Sequence, residues 1–208
     1  MNKRTIKKGI DAIAARDKDV RLTLPKIGYP QDRKWPDGFE TFVSIIVSQQ
    51  LSTKAANAIL SRVHKLLPEL TPEKLLSKRS ATLRKAGLSE KKVEYLRGLS
   101  LAIKRDEFNP DALKKMDDVQ AIRSICSLHG LGEWSAEIYL IFALGRKDIF
   151  PANDLALQLA LQKLKNMKDK PTPVIARSTI DHWAPNRSFG SLYLWHYYQY
   201  TKNSGFSL

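Results

Sequence analysis

Leu128-His129-Gly130-Leu131-Gly132-Glu133-Trp134-Ser135-Ala136 opens the stretch around which the chain is organised, and Phe150-Pro151-Ala152-Asn153-Asp154-Leu155 closes it. Glycine lacks the Cβ that keeps other residues out of tight turns, so Gly130-Leu131-Gly132 reads as a backbone-exposing turn ahead of a helix. Main-chain N–H groups at such a turn can approach a ligand closely, and a helix N-terminus favours an anion such as a phosphate. The helix from Glu133 to about Gly145 would be roughly 20 Å long at the α-helical rise per residue. The segment from Arg146 to Asn153 could span at most about 26 Å. That is enough to return Asp154 towards the turn, where a phosphate grip and a carboxylate could meet on one nucleotide.

The flanking sequence is helical throughout. Residues 5–16 place Ile6, Ile10 and Ile13 at helical spacing, whereas 17–38, with Pro25, Pro30, Pro36, Gly28 and Gly38, read as connector. Trp35 in that connector reads as a plug for the edge of the core. Phe39 to Ser48 is nearly all apolar and reads as a buried helix, broken by Gln49-Gln50-Leu51-Ser52 and resumed from Thr53 to Leu67. Thr71-Pro72-Glu73 is a helix start, with threonine as cap and proline at the first position. Short helices run on to Lys85. Ser89 caps a longer helix to about Arg105, with Val93, Leu96, Leu99 and Ile103 on its buried face. Lys91 and Lys92 stand at its start, where the helix dipole disfavours cations, which hints at an external anion. Asn109-Pro110-Asp111 begins a short helix, Asp118 is read as the cap of the next to Ser127, and the hairpin follows. After Asp154 come a leucine-rich helix, then 173–183 and 187–200. With no strand alternation and no internal repeat, the fold class is all-α.

The chain has 208 residues, of which 43% are hydrophobic, enough for one large domain or two small ones. Its net charge of +14 favours a polyanionic partner, most simply nucleic acid. The single cysteine, Cys126, reads as a small core residue in a reducing compartment. One thiolate cannot hold an iron–sulfur cluster, which usually needs four. No apolar run approaches the ~20 residues of a membrane span. Met1 to Ala15 is basic, but Asp11 interrupts any signal-peptide core, so a cytoplasmic monomer is expected.

The hairpin and the Phe150–Leu155 segment together resemble the helix-hairpin-helix DNA glycosylases and their Gly/Pro-Asp loop. The similarity is greatest to the 3-methyladenine DNA glycosylase II branch. Ile46-Val47-Ser48-Gln49-Gln50-Leu51-Ser52 with Ala55-Ala56 agrees, and so does Leu83-Arg84-Lys85-Ala86-Gly87-Leu88-Ser89 with Lys92 and Tyr95. Four ordered motifs over about residues 39–200 make the resemblance specific. It implies two helical lobes with the active cleft between them, one over 39–146 with the hairpin, the other formed by 1–38 plus 147–208 with the catalytic Asp. It also implies double-stranded DNA containing a damaged base as partner, and no further cofactor beyond a Na⁺ or K⁺ on the hairpin carbonyls. The protein would then work in the nucleoid of a bacterium or the nucleus of a eukaryote.

Cutting a base from deoxyribose builds positive charge on the sugar, and a fixed carboxylate stabilises it and can orient a water. The resemblance gives that role to Asp154. Asp154 can equally be a helix N-cap, both roles can coexist, or Asn153 can be the cap. Trp134 and Trp195 match pocket tryptophans of the family, which would stack on a cationic alkylated base; each can also be core. Gln49, Gln50 and Leu51, with Gln50 and Leu51 foremost, match the loop that fills the gap left by the extruded base. Gly130, Leu131 and Gly132 match the phosphate-binding turn, and His129 can reach a phosphate or stand idle. The chain departs from the family at Leu155 and Ile138, both aromatic elsewhere, which leaves the lesion range open. Trp134 stands where glycosylase/lyases carry their Schiff-base lysine, so hydrolysis alone is expected. The alternatives are a glycosylase for deaminated, etheno or mismatched bases and a helix-hairpin-helix module that binds without cutting.

Overall fold

A computed structural model describes residues 1–203, and every regular element among the described residues is helical. The chain forms two compact units, Trp35–Leu144 and Met1–Lys34 together with the chain from Gly145 onward.

Helix α1 (Lys3–Arg16) is capped by Asn2 and buries Ile6, Ile10 and Ile13. Helix α2 (Lys18–Ile27) occupies what the prolines marked as connector. Asp17 overrides them: its carboxylate accepts from the N–H groups of Asp19 and Val20 and nucleates the helix. Pro25 falls near the C-terminal end, and Gly28, at φ +73°, ends the helix.

The central unit holds α3 (Phe39–Ser48), α4 (Thr53–Leu66), α5 (Pro72–Ser77), α6 (Ser80–Lys85), α7 (Glu90–Lys104), α8 (Asp118–Cys126) and α9 (Glu133–Phe142). A 3-10 turn, Pro110–Lys115, precedes α8. Thr71 and Ser89 cap α5 and α7. The cap of α8 is Asp117, not Asp118: Asp117 accepts from the Gln120 N–H while the Gln120 side chain accepts from the Asp117 N–H, a reciprocal capping box. The core is made where α3 meets α9, with Phe42 stacked on Tyr139 at 4.1 Å between ring centres. Burying side chains of this size contributes roughly 1.5–3 kcal/mol each. Trp35 stacks on Phe142 at 4.7 Å, as a plug at the core edge. Cys126 is exposed and not a core residue, because α8 turns Ala121 and Ile125 inward and position 126 falls off that stripe.

The remaining elements are α10 (Leu155–Leu164), α11 (Pro173–Thr179), a 3-10 turn over Asp181–Trp183 and α12 (Arg187–Asn203). Asp17 is their electrostatic anchor. Its buried carboxylate accepts from Lys165 Nζ at 2.7 Å and Trp183 Nε1 at 2.7 Å, and pairs with His182 Nε2 at 2.9 Å. Burial alone would raise its pKa, but the hydrogen bonds from Lys165, Trp183 and the Val20 N–H outweigh that and hold it down to about 2. No helix among the described residues is long and apolar enough to cross a membrane.

Candidate functional site

Helices α8 and α9 are joined by the glycine turn. Gly130 sits at φ +85°, a conformation open to glycine and strained for L residues, and a Cβ there would collide with the Tyr95 ring. Leu131 is buried and anchors the turn, whereas Gly132 has an ordinary φ and open space beside it. Gly132 is the N-cap of α9 and brings no capping side chain, so an anion from outside can take that place. His129 is exposed, 3.3 Å from Glu94 Oε1 and edge-on to Tyr95.

The break after α3 lies against this turn. Gln49 directs its amide inward: Nε2 donates to Gly130 O at 2.8 Å and to Ser135 Oγ at 3.2 Å. Lys92 does not face outward either. Its Nζ donates to Val47 O at 2.7 Å and Gln49 O at 3.0 Å, the carbonyls at the C-terminal end of α3, and burial lowers its pKa. Gln50 is exposed at φ +56°, and Leu51 beside it is 39% exposed. Of the loop residues, Gln50 and Leu51 therefore form the apex, and Gln49 is the fastening beneath it.

Asp154 is mounted in the other unit. It is the N-cap of α10, Oδ1 accepting from the Leu157 N–H at 3.0 Å, and Asn153 is exposed one residue earlier. Trp195 of α12 donates its indole Nε1 to the same oxygen at 3.1 Å. The segment leading to Asp154 is tied down residue by residue. Arg187 holds Asp148 through Nε and Nη2 at 2.8 and 2.6 Å. That pairing lowers the Asp148 pKa and raises the Arg187 pKa. Ser188 Oγ accepts from the Ile149 N–H, Arg177 donates to Phe150 O, and buried Gln158 donates to Ala152 O at 2.7 Å. Such over-determined mounting is what a preorganised charge needs. Sequence inspection missed these supports. Only Gln158, an amide among the leucines and alanines of α10, carried a local signal. Leu155, next to the carboxylate, is 60% exposed.

The sequence-derived residues thus fall into two groups: Gln49, Gln50, Leu51, His129, Gly130, Leu131, Gly132 and half-buried Trp134 in the central unit, and Asp154 with Trp195 in the other. A hollow is lined by Cys126–Gly132, and Ser127 brings its one side-chain oxygen. Among the described residues no group of three His, Cys, Asp or Glu is placed to hold a metal.

The all-helical fold, the glycine hairpin and the clamped aspartate at a helix start match the pattern of helix-hairpin-helix DNA repair proteins. The chain is a member of the HhH-GPD superfamily of base excision DNA repair proteins, whose pattern matches residues 43–186. It is 28% identical over 161 residues to DNA-3-methyladenine glycosylase 1 of Schizosaccharomyces pombe, covering 76% of this chain and 71% of that protein. A putative DNA-3-methyladenine glycosylase of Bacillus subtilis is also 28% identical, over 165 residues, but the match takes in 76% of this chain and only 58% of that longer protein. The crystal structure of a DNA-3-methyladenine glycosidase from Bacillus halodurans superposes with a TM-score of 0.80 at 29% identity, covering 94% of this chain and 91% of that one.

Proposed function

We propose that this protein is a monofunctional DNA glycosylase that extrudes an alkylated base of the 3-methyladenine type and removes it by hydrolysis, leaving an abasic site. The observation that carries the proposal is Asp154: a carboxylate held by a helix start and by an indole N–H, on a segment fixed at successive residues, in a chain of this family. As the N-glycosidic bond breaks, the base leaves with the bonding electrons and positive charge grows on the sugar. The Asp154 carboxylate stabilises that charge and orients the water whose oxygen bonds to the sugar carbon, taking the proton that this water loses. Trp134 in the central unit and Trp195 in the other each offer an aromatic face to which a cationic base is drawn. The Gly130–Gly132 turn grips a phosphate through main-chain donors, and Gln50 and Leu51 fill the gap in the stack. A Na⁺ or K⁺ in the Cys126–Gly132 hollow would add positive charge beside that phosphate. With Trp134 at the position of the lyase lysine, no strand cleavage follows base release. Acting on DNA, the protein works in the bacterial cytoplasm at the nucleoid, or in a nucleus.

One observation favours a second reading, a glycosylase for deaminated, etheno or mismatched bases. The exposed side chain after Asp154 is Leu155, which attracts no cation. Base release from DNA treated with a methylating agent, with products identified, separates the two. Asp154→Asn should abolish release while DNA binding stays equal or tightens, since a negative charge that repels phosphate is gone. Substantial single-turnover excision by Asp154→Asn sinks the assignment.

A further inference from the structure

Gln49 and Gly130 lie 81 residues apart, yet the loop after α3 and the hairpin turn are fastened together. Three side chains do it. Gln49 Nε2 bonds Gly130 O and Ser135 Oγ. Lys92 Nζ bonds Val47 O and Gln49 O. Tyr95, nearly one turn further along α7, packs its ring against Gly130 in the space a Cβ would need. Beyond these fastenings rises an apex in which Gln50 takes a left-handed backbone conformation and Leu51 presents an apolar side chain outward. A left-handed non-glycine residue persists where its surroundings over-determine it. Here the fixed carbonyls on its N-terminal side supply that constraint.

We propose that Gln49 and Lys92 are positioning residues that make the Gln50–Leu51 apex and the Gly130–Gly132 turn one rigid piece, so that gripping the DNA backbone sets how the apex enters the duplex. This rests on the glycosylase reading above. It assigns Gln49 to the hairpin and not to DNA. Taking a paired base out of the stack is costly, and the cost is least for a base that is not properly paired. A loosened apex therefore slows excision of paired lesions and spares a lesion with nothing to unpair from.

Gln49→Leu keeps the side chain's bulk and removes both donors. Single-turnover excision of 7-methylguanine is measured in two duplexes, one with cytosine opposite the lesion and one with an abasic-site analogue opposite it. On the paired duplex the variant should be slower by about tenfold, the factor that ~1.4 kcal/mol represents. On the unpaired duplex it should stay within about threefold of the wild type, with binding to undamaged duplex unchanged. Lys92→Met, which keeps the aliphatic stem, should give the same split between duplexes, and it carries the test if Gln49→Leu does not fold. Equal losses on both duplexes, or no loss on either, overturn the coupling and leave Gln49 and Lys92 as packing residues. A wild type that releases no base from either duplex overturns the glycosylase reading itself, which keeps the two failures apart.

Discussion

Trp195 Nε1 and Asp154 Oδ1 are 3.1 Å apart, and the same oxygen accepts the Leu157 N–H at 3.0 Å. Two donors from two helices thus fix the plane of one carboxylate. The Trp195 indole and the carboxylate proposed to act in catalysis thus form one hydrogen-bonded pair. The indole N–H acts on Asp154 whether or not the ring touches a base.

Trp195→Phe separates those roles, because phenylalanine keeps an aromatic face and loses the N–H. A hydrogen bond to a charged group is worth about 1.5–3 kcal/mol, so single-turnover excision should fall roughly tenfold or more. The fall should be alike for cationic and neutral lesions, since it arises at the sugar. Comparing rates on both lesion types, with a thermal melt of the variant, makes the check. A loss confined to cationic lesions would assign Trp195 to the base face alone.

The two glycines of the turn should behave differently. Gly130→Ala forces a side chain into φ +85° and against Tyr95, so it should lower stability by roughly 1–3 kcal/mol. At Gly132 a Cβ would meet nothing within 4 Å and the φ is ordinary, so the fold should tolerate Gly132→Val. Its added bulk should still weaken lesion-containing and undamaged DNA by similar factors, because backbone contacts carry no base information. Binding isotherms over a salt series, with denaturant melts, test both. A Gly132→Val protein that binds DNA like the wild type would remove the turn from the interface.

The hairpin, the break after α3 and the cap at Asp154 were legible because each depends on neighbours in sequence. Glycine turns, N-caps and apolar stripes are local grammar. Helix α2 is hidden in the sequence because Pro25, Pro30 and Pro36 mask the Asp17 cap, although Pro25 lies near the end of the helix, past its capped start. The inward turn of Gln49 and Lys92 left no trace in the sequence. A side chain that bonds a carbonyl 81 residues away follows no period. The same holds for Asp17 with Lys165 and for Asp148 with Arg187, which look like surface charges when read singly.

Asp17 makes stability pH-dependent in the acid range. Its folded pKa, about 2, lies below the ordinary 3.8, so the stabilisation is complete above about pH 4 and is lost as pH falls towards 2. The shift corresponds to about 2 kcal/mol at neutral pH. Asp17→Asn should lower stability by at least that amount at pH 7, since Lys165 loses its counter-charge and the Oδ2 that Lys165 and Trp183 share gives way to an NH₂ that cannot accept. The deficit should shrink as the wild type is taken towards pH 2. Urea melts at pH 7, 4 and 2.5 measure it, and a deficit that does not change with pH would contradict the assignment.

Trp134 should set the preference for cationic over neutral lesions. A tryptophan face attracts a cation by about 0.5–2 kcal/mol, more where water is excluded. Leucine keeps much of the apolar contact and loses the π face, so Trp134→Leu isolates the charge-selective part. Excision of 7-methylguanine should therefore fall further than excision of a neutral lesion such as hypoxanthine or ethenoadenine. With 1.4 kcal/mol equal to about tenfold in rate, the selective part of the loss should lie near three- to thirtyfold. Half-buried at the first turn of α9, Trp134 also packs, so a thermal melt must accompany the rates. The comparison uses single-turnover excision on oligonucleotides that differ only in the lesion. If cationic and neutral lesions fall by the same factor in a folded variant, Trp134 is a packing residue. The choice of lesion then passes to Trp195 and to the exposed leucine beside Asp154.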